Sequence, residues 1–240
     1  MDQIETQHWE NFKAVNRNRR AIRDFDGMPI LDQDIKEILD EAFLAPSSAN
    51  IQPYEIHWIK SPEEKALIAK ACNGQRAATS ASSLFVLVSG THIVRKTLKD
   101  YLEYIESSTL SEHTKTYNRK NLKTLDLFLR FGPFVLWTPI LGLFSMLLPS
   151  LSLLPFGGLG VRQWVARNSI YAAQNLLLAA VAKGYDACPM EGFNAQKIAS
   201  ILNLPYGSVI PVVIAFGKKR NDAIIEPQWR KPFEDTVVIH

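Results

Sequence analysis

The chain has 240 residues, 47% of them hydrophobic and 21% charged, with a formal net charge of +3. This composition excludes wholesale disorder, is enough for one large domain with a real core, and falls well short of the basic excess of a dedicated nucleic-acid binder. Two cysteines, Cys72 and Cys188, lack CxxC spacing, and five histidines are scattered without pairing, so reduced thiols are expected and no metal site is.

The N-terminal stretch MDQIETQHWENF is polar and acidic and has no apolar export core, which fits a cytoplasmic protein. Residues 3–16 are expected to form a short helix, followed by an irregular or extended segment, RNRRAIRDFDGMPI, stopped by Gly27 and Pro29. Ile35, Ile38, Leu39 and Ala42 then mark one face of a helix over about 34–44, with Asp32 or Asp34 as its cap. YEIHWIK (54–60) alternates like a strand, and SPEEKALIAKAC (61–72) opens a helix with a serine cap and a proline at the first helical position. SSLFVLVSG (82–90) has the apolar run of a buried strand. The chain is then helical and charged from His92 to Arg130, uncharged over 131–161, and helical again over 162–187, apolar nearly all round at 176–182. A shorter helix (197–205), a last core strand (208–218) and an extended apolar tail complete an α+β or α/β alternation in a single domain over 1–240. No G-x-G-x-x-G follows a strand and no phosphate-binding G-x-x-x-x-G-K-[ST] is present, so any nucleotide-like ligand must be held in another way.

Four short stretches carry groups suited to a ligand. In RRAIRDF (19–25), an extended backbone would put Arg19, Ala21 and Arg23 on one side, with Arg19 and Arg23 roughly 13 Å apart at about 3.3 Å per residue. Guanidinium forks suit phosphate oxygens and electron-rich carbonyls, although an isolated arginine cluster also reads as a solvated basic turn. PSSAN (46–50) offers hydroxyls and an amide on a tight loop, or simple helix-stop chemistry. CPMEGFN (188–194) is a turn able to expose successive backbone N–H groups, or an ordinary connection. In PQWRKP (227–232), Arg230 stands between prolines in the tail.

Taken in order, RRAIR, then APSSANIQPY, then a long helix leading to CPMEGF, then the arginine of PQWRKP, this set resembles the nitroreductase family of FMN-dependent oxidoreductases over roughly residues 10–90 and 162–240. The resemblance implies a central mixed, mostly antiparallel sheet flanked by helices, in a homodimer with an extended C-terminal tail. It implies that Arg19, Arg20 and Ala21 bind the FMN phosphate and ribityl chain, with Ala21 in place of a serine and so without its hydroxyl. Arg23 matches the basic residue at the pyrimidine end of the flavin, where positive charge raises the potential. Pro46, Ser47, Ser48 and Asn50 match a loop presented to the flavin from the partner subunit. Pro189, Met190, Glu191 and Gly192 match the turn along the flavin, and Arg230 the basic residue that closes on the phosphate. A further ring contact is expected from NGQRAATSAS, at Gln75 or at Arg76. The implied activity is hydride transfer from NAD(P)H to a nitroaromatic, quinone or similar electron-poor acceptor by a ping-pong cycle, with no catalytic acid or base nominated. A specialised flavin enzyme of the same fold (dehalogenase, flavin-consuming or ring-oxidising) and a non-catalytic flavin-binding or membrane-associated protein are the alternatives.

The uncharged stretch 131–161 lies outside the resemblance and exceeds the ~20 residues that cross a bilayer, but Pro133, Pro139, Pro149 and Pro155 interrupt it. It reads as a lid over an apolar substrate pocket, as a hairpin making peripheral membrane contact, or as a dimer contact.

Overall fold

The apolar run over 82–90 forms strand β2 (Ser83–Ser89), all seven residues of which are buried. It lies between β1 (Tyr54–Ile59) and β4 (Val209–Gly217), and β3 (Asp186–Met190) closes the far side, giving the order β1-β2-β4-β3. Among the described residues every strand pair is antiparallel, and parallel pairing enters only as an isolated bridge between Ala21 and Ala187. This is a computed structural model, and it describes residues 3–131, 143 and 157–240. The expectations for the uncharged stretch therefore fall mostly outside the described residues.

Alternation along the strands builds two apolar layers. Leu84, Val86 and Val88 of β2, with Val213 and Ala215 of β4, face α3 (Pro62–Ala71) and α8 (Ala195–Ile201) through Ile68 and Ile198. Phe85, Leu87, Val212, Ile214 and Phe216 face the other way, onto α2 (Asp32–Phe43) and α7 (Gly157–Ala182). Helices α5 (Thr91–Ser107) and α6 (Glu112–Phe131) pack with the start of α7 around Leu98, Ile105, Leu122 and Trp164, while α1 (Gln3–Asn18) precedes the arginine run and α4 (Arg76–Ser80) precedes β2. Pro211 is accommodated inside β4 because the β2–β4 register shifts between Leu87 and Ser89, and β3 pairs only from Val213 onward.

Local chemistry explains several boundaries. Ser61 caps α3 by accepting from the Glu64 N–H at 3.2 Å, with Pro62 at the first helical position, as the sequence predicts. The capping expectation for α2 is wrong: Leu31 occupies the cap position without a side-chain bond, and Asp34 instead accepts from the Tyr185 hydroxyl at 2.5 Å and pairs with Lys183. The long helix also ends early. It stops at Ala182, Gly184 adopts φ 83°, and residues expected to be helix or turn become strand β3. Pro189 fits there because β3 is a sheet edge. The stretch of α7 expected to be buried all round is buried on one side, at Leu176, Leu177 and Ala180.

The Asp34 cluster carries a pH signature. The Tyr185 hydrogen bond, followed by Lys183, holds the Asp34 carboxyl below its ordinary 3.8, and Lys183 holds Glu37 below 4.5. A lowered folded-state pKa gives stability that is full above the unfolded value and is lost as pH falls through the folded one. Replacing Tyr185 with Phe is therefore expected to lower the urea midpoint at about pH 6, with the deficit shrinking as the pH approaches about 3. A deficit that stays constant over that range would show that the Asp34 carboxylate is not what Tyr185 stabilises.

Candidate functional site

Of the two courses open to the arginine run, irregular or extended, it takes an extended one laid across the ends of β3 and β4. Arg20 nevertheless shares a wall with Arg19 and Arg23 and does not face the opposite side. Ile22 N–H donates to the Ala187 carbonyl at 3.3 Å, Asp26 N–H to the Lys218 carbonyl at 2.9 Å, and Phe25 bridges to Lys219. Ile22 and Phe25 are buried, while Arg23 between them and Arg19 and Arg20 before them face a cleft. Gly217 permits the close crossing: a Cβ there would lie 2.9 Å from Ser82 Oγ and 3.0 Å from the Phe25 ring.

The cleft is a cavity of about 240 Å³ with Arg19, Arg20, Ala21 and Arg23 on one wall. Tail residues 224–230, including Trp229 and Arg230, form the other. Arg20 donates to the Glu226 carbonyl, and Arg230 Nη1 donates to the Trp229 carbonyl at 2.7 Å. No carboxylate pairs with Arg19, Arg20, Arg23 or Arg230 among the described residues. Burial, and then the like charges of Arg230 and Arg20, push Arg19 below its ordinary value. Four cations against the single carboxylate of Glu226, which pairs with none of them, suit an external anion with several oxygens. Ala21 lines the same wall and contributes its backbone only. Within one chain the apolar side chains of the tail stay exposed, Ile224 and Trp229 at the cleft and Phe233, Val238 and Ile239 beyond it.

Beside the cleft, Pro189 and Met190 end β3, opposite Ile214 and Val213, and Cys188 is buried behind them. Burial raises the Cys188 thiol against the opposing pull of Arg23 and Arg19, and Cys72 is pushed up to about 11 by burial, so both thiols are inert packing groups. The backbone N–H groups of Glu191 and Gly192 have no acceptor among the described residues. The Gly192 carbonyl, in contrast, accepts from Gln75 Nε2 at 2.7 Å and Asn73 Nδ2 at 3.0 Å. Those two bonds hold the turn so that its donors point away from them. Gln75 is thus the residue of its pair that meets the 188–192 turn, while Arg76 pairs with Asp24 at 2.9 Å. Asn73 escaped the sequence reading, although it belongs to the same Asn-Gly-Gln turn.

The 46–50 loop stands apart. Ser47 Oγ accepts from the Gln52 N–H at 2.9 Å, the Ser48 N–H donates to Asn168 Oδ1 at 2.7 Å, and Asn50 Oδ1 accepts from Gln52 Nε2 at 3.3 Å. Ala49, Asn50 and Gln52 all have positive φ, of 54°, 55° and 44°. Pro46, Ser48 and Asn50 are exposed, and none of the loop lines the arginine cleft within one chain. Asn168, buried in α7, organises this loop and carried no signal in the sequence beyond its polarity.

Comparison with known proteins gives this geometry a context. MhqN of Bacillus subtilis, provisionally named an NAD(P)H nitroreductase, is 25% identical over 93% of this chain and 95% of its own. A Thermus thermophilus protein named NADH dehydrogenase is 24% identical over 94% of each. The fold matches, with a TM-score of 0.73, a structure from Exiguobacterium sibiricum solved in complex with FMN; that match is 22% identical and covers 95% of this chain and 97% of the other. The nitroreductase family model matches residues 17–136 and 150–218, reaching into both ends of the uncharged stretch, further than the sequence resemblance did. The chain belongs to the nitroreductase family.

Proposed function

We propose that this protein is an FMN-dependent oxidoreductase that oxidises NAD(P)H and reduces an electron-poor acceptor, a nitroaromatic, quinone or similar compound, the two substrates using one pocket in turn. The observation that carries this reading is the set of four guanidiniums around one cavity of about 240 Å³, none of them paired with a carboxylate among the described residues although Glu226 also lines the cavity. Bound FMN supplies the two-electron redox chemistry. Arg19, Arg20 and Arg230 hold its phosphate, and Arg23 sets a positive charge against the pyrimidine end of its ring. Pro189 and Met190 form the wall along the ring. The free N–H groups of Glu191 and Gly192, held by Gln75, donate to its polar edge. No side chain is assigned as acid or base.

The same reading makes the protein a homodimer, in which Pro46, Ser47, Ser48 and Asn50 complete the partner's flavin site. Supporting it are the exposed apolar side chains on α1 (Trp9, Phe12), on α7 (Ile170, Tyr171) and along the tail. We place the protein in the cytoplasm; among the described residues no helix is long and apolar enough to cross a membrane.

Purified protein is expected to be yellow, to sediment as a dimer, and to consume NADH or NADPH when a nitroaromatic or quinone is added. Colourless protein that FMN does not reconstitute would sink the reading. A monomeric holoprotein would remove the 46–50 loop from the site.

A further inference from the structure

Asp24 directly follows the arginine run, and its carboxylate is where three segments of the chain meet. Arg76, at the start of α4, binds Oδ1 through Nε at 3.0 Å and Nη2 at 2.9 Å. Arg220, just beyond β4, binds Oδ2 through Nη2 at 3.0 Å, and its backbone N–H donates to the Asp24 carbonyl at 3.1 Å. Each carboxylate oxygen therefore has its own guanidinium. The residue before Arg76 is Gln75, whose amide holds the Gly192 carbonyl at 2.7 Å. Two consecutive residues, Gln75 and Arg76, thus grip the 188–192 turn beside the cleft and the arginine run that forms one of its walls.

We infer that Asp24 is a positioning residue: its clamp to Arg76 and Arg220 fixes the backbone that aims Arg23 at the ligand and keeps that wall in register with the Gly192 turn. The inference rests on the flavin site proposed above. Stability alone is a poor reason for this arrangement, because Arg76 and Arg220 are well exposed and ion pairs of that kind contribute little. Bulk electrostatics is no better, since a carboxylate beside an anion-binding cleft opposes the ligand. The two effects differ in sign, so they can be told apart.

In Asp24→Asn the shape is kept and the charge is lost, and the amide turns an NH₂ toward one guanidinium. Positioning requires that FMN then bind about tenfold more weakly, the scale on which loss of an orienting partner weakens a site. It also requires that the potential of bound FMN become more negative as Arg23 loses its aim. Asp24→Glu, which restores the carboxylate, should recover part of both, while the melting temperature of FMN-free protein barely moves. FMN binding as tight as wild type or tighter, with an unchanged or less negative potential, overturns the inference. So does a large loss of melting temperature that Asp24→Glu leaves unrescued, since that marks a merely structural clamp. Arg23→Gln separates this from the parent reading. If it alters neither affinity nor potential, the flavin site itself is misplaced; if it alters both while Asp24→Asn behaves as wild type, only the role of Asp24 fails.

Discussion

Arg19→Gln is expected to weaken FMN binding about a hundredfold and to leave the FMN-free protein as stable as wild type, or more so. A charge-assisted hydrogen bond contributes about 1.5–3 kcal/mol, and the upper part of that range is a factor of about a hundred in a dissociation constant. Arg19 is the member of its cluster that burial and like charge visibly perturb. A lowered pKa in a cation means that the folded state disfavours its charge, so the unliganded fold bears a penalty at every pH below the folded value. That range includes all ordinary conditions, and the penalty is relieved only as pH rises through the folded value. Removing the charge lifts the penalty, while ligand binding loses its counter-charge. Fluorescence titration of FMN and melting of the apoprotein read the two effects separately. An apoprotein destabilised by the change would mean that Arg19 serves the fold, and unchanged FMN affinity would place the phosphate elsewhere.

Phe216→Ala should cost roughly 4 kcal/mol of unfolding free energy, near the middle of the range for deleting a buried aromatic ring. Phe216 is fully buried, meets Phe85 edge-on with ring centroids 5.4 Å apart, and lies 5.4 Å from the Tyr185 ring. It is also the cross-strand partner of Ala187, immediately before the residues that end β3 at the cleft. For a chain of this size that loss is a fall in melting temperature on the order of 10 °C. Urea unfolding gives the energy directly, and a cost below about 1.5 kcal/mol would mean that α2 and α7 close over the space.

What could be read in the sequence and what could not divide along physical lines. Helix α3 was legible because its start signal is local: Ser61, Pro62, Glu63 and Glu64 act within one turn. Strand β2 was legible because burial on both faces leaves an unbroken apolar run. The course of the arginine run stays open between irregular and extended in the sequence, because the main-chain bonds that hold it come from segments far along the chain. Strand β3 was hidden because DACPM contains a proline and little alternation; it is a strand through its pairing with β4 rather than its own preference. Asp34 looked like a helix cap because its real partner, Tyr185, is supplied by another part of the fold. The grouping of Arg19, Arg20, Ala21, Arg23 and Arg230 followed from the family resemblance, whereas Asp24 and Asn73 emerge only once α4 and the 188–192 turn are adjacent.

The loop after α2 has a kinetic consequence. Ala49, Asn50 and Gln52 hold left-handed backbone without being glycine, Ala49 and Gln52 each against a preference of about 1 kcal/mol or more. They stay there because Asn168 and the Ser47 hydroxyl fasten the loop and Ile51 is buried beneath it. Its form is therefore set by the protein interior before any ligand arrives. A molecule meeting this surface docks onto a finished contour, and its arrival need not wait for the loop to fold around it.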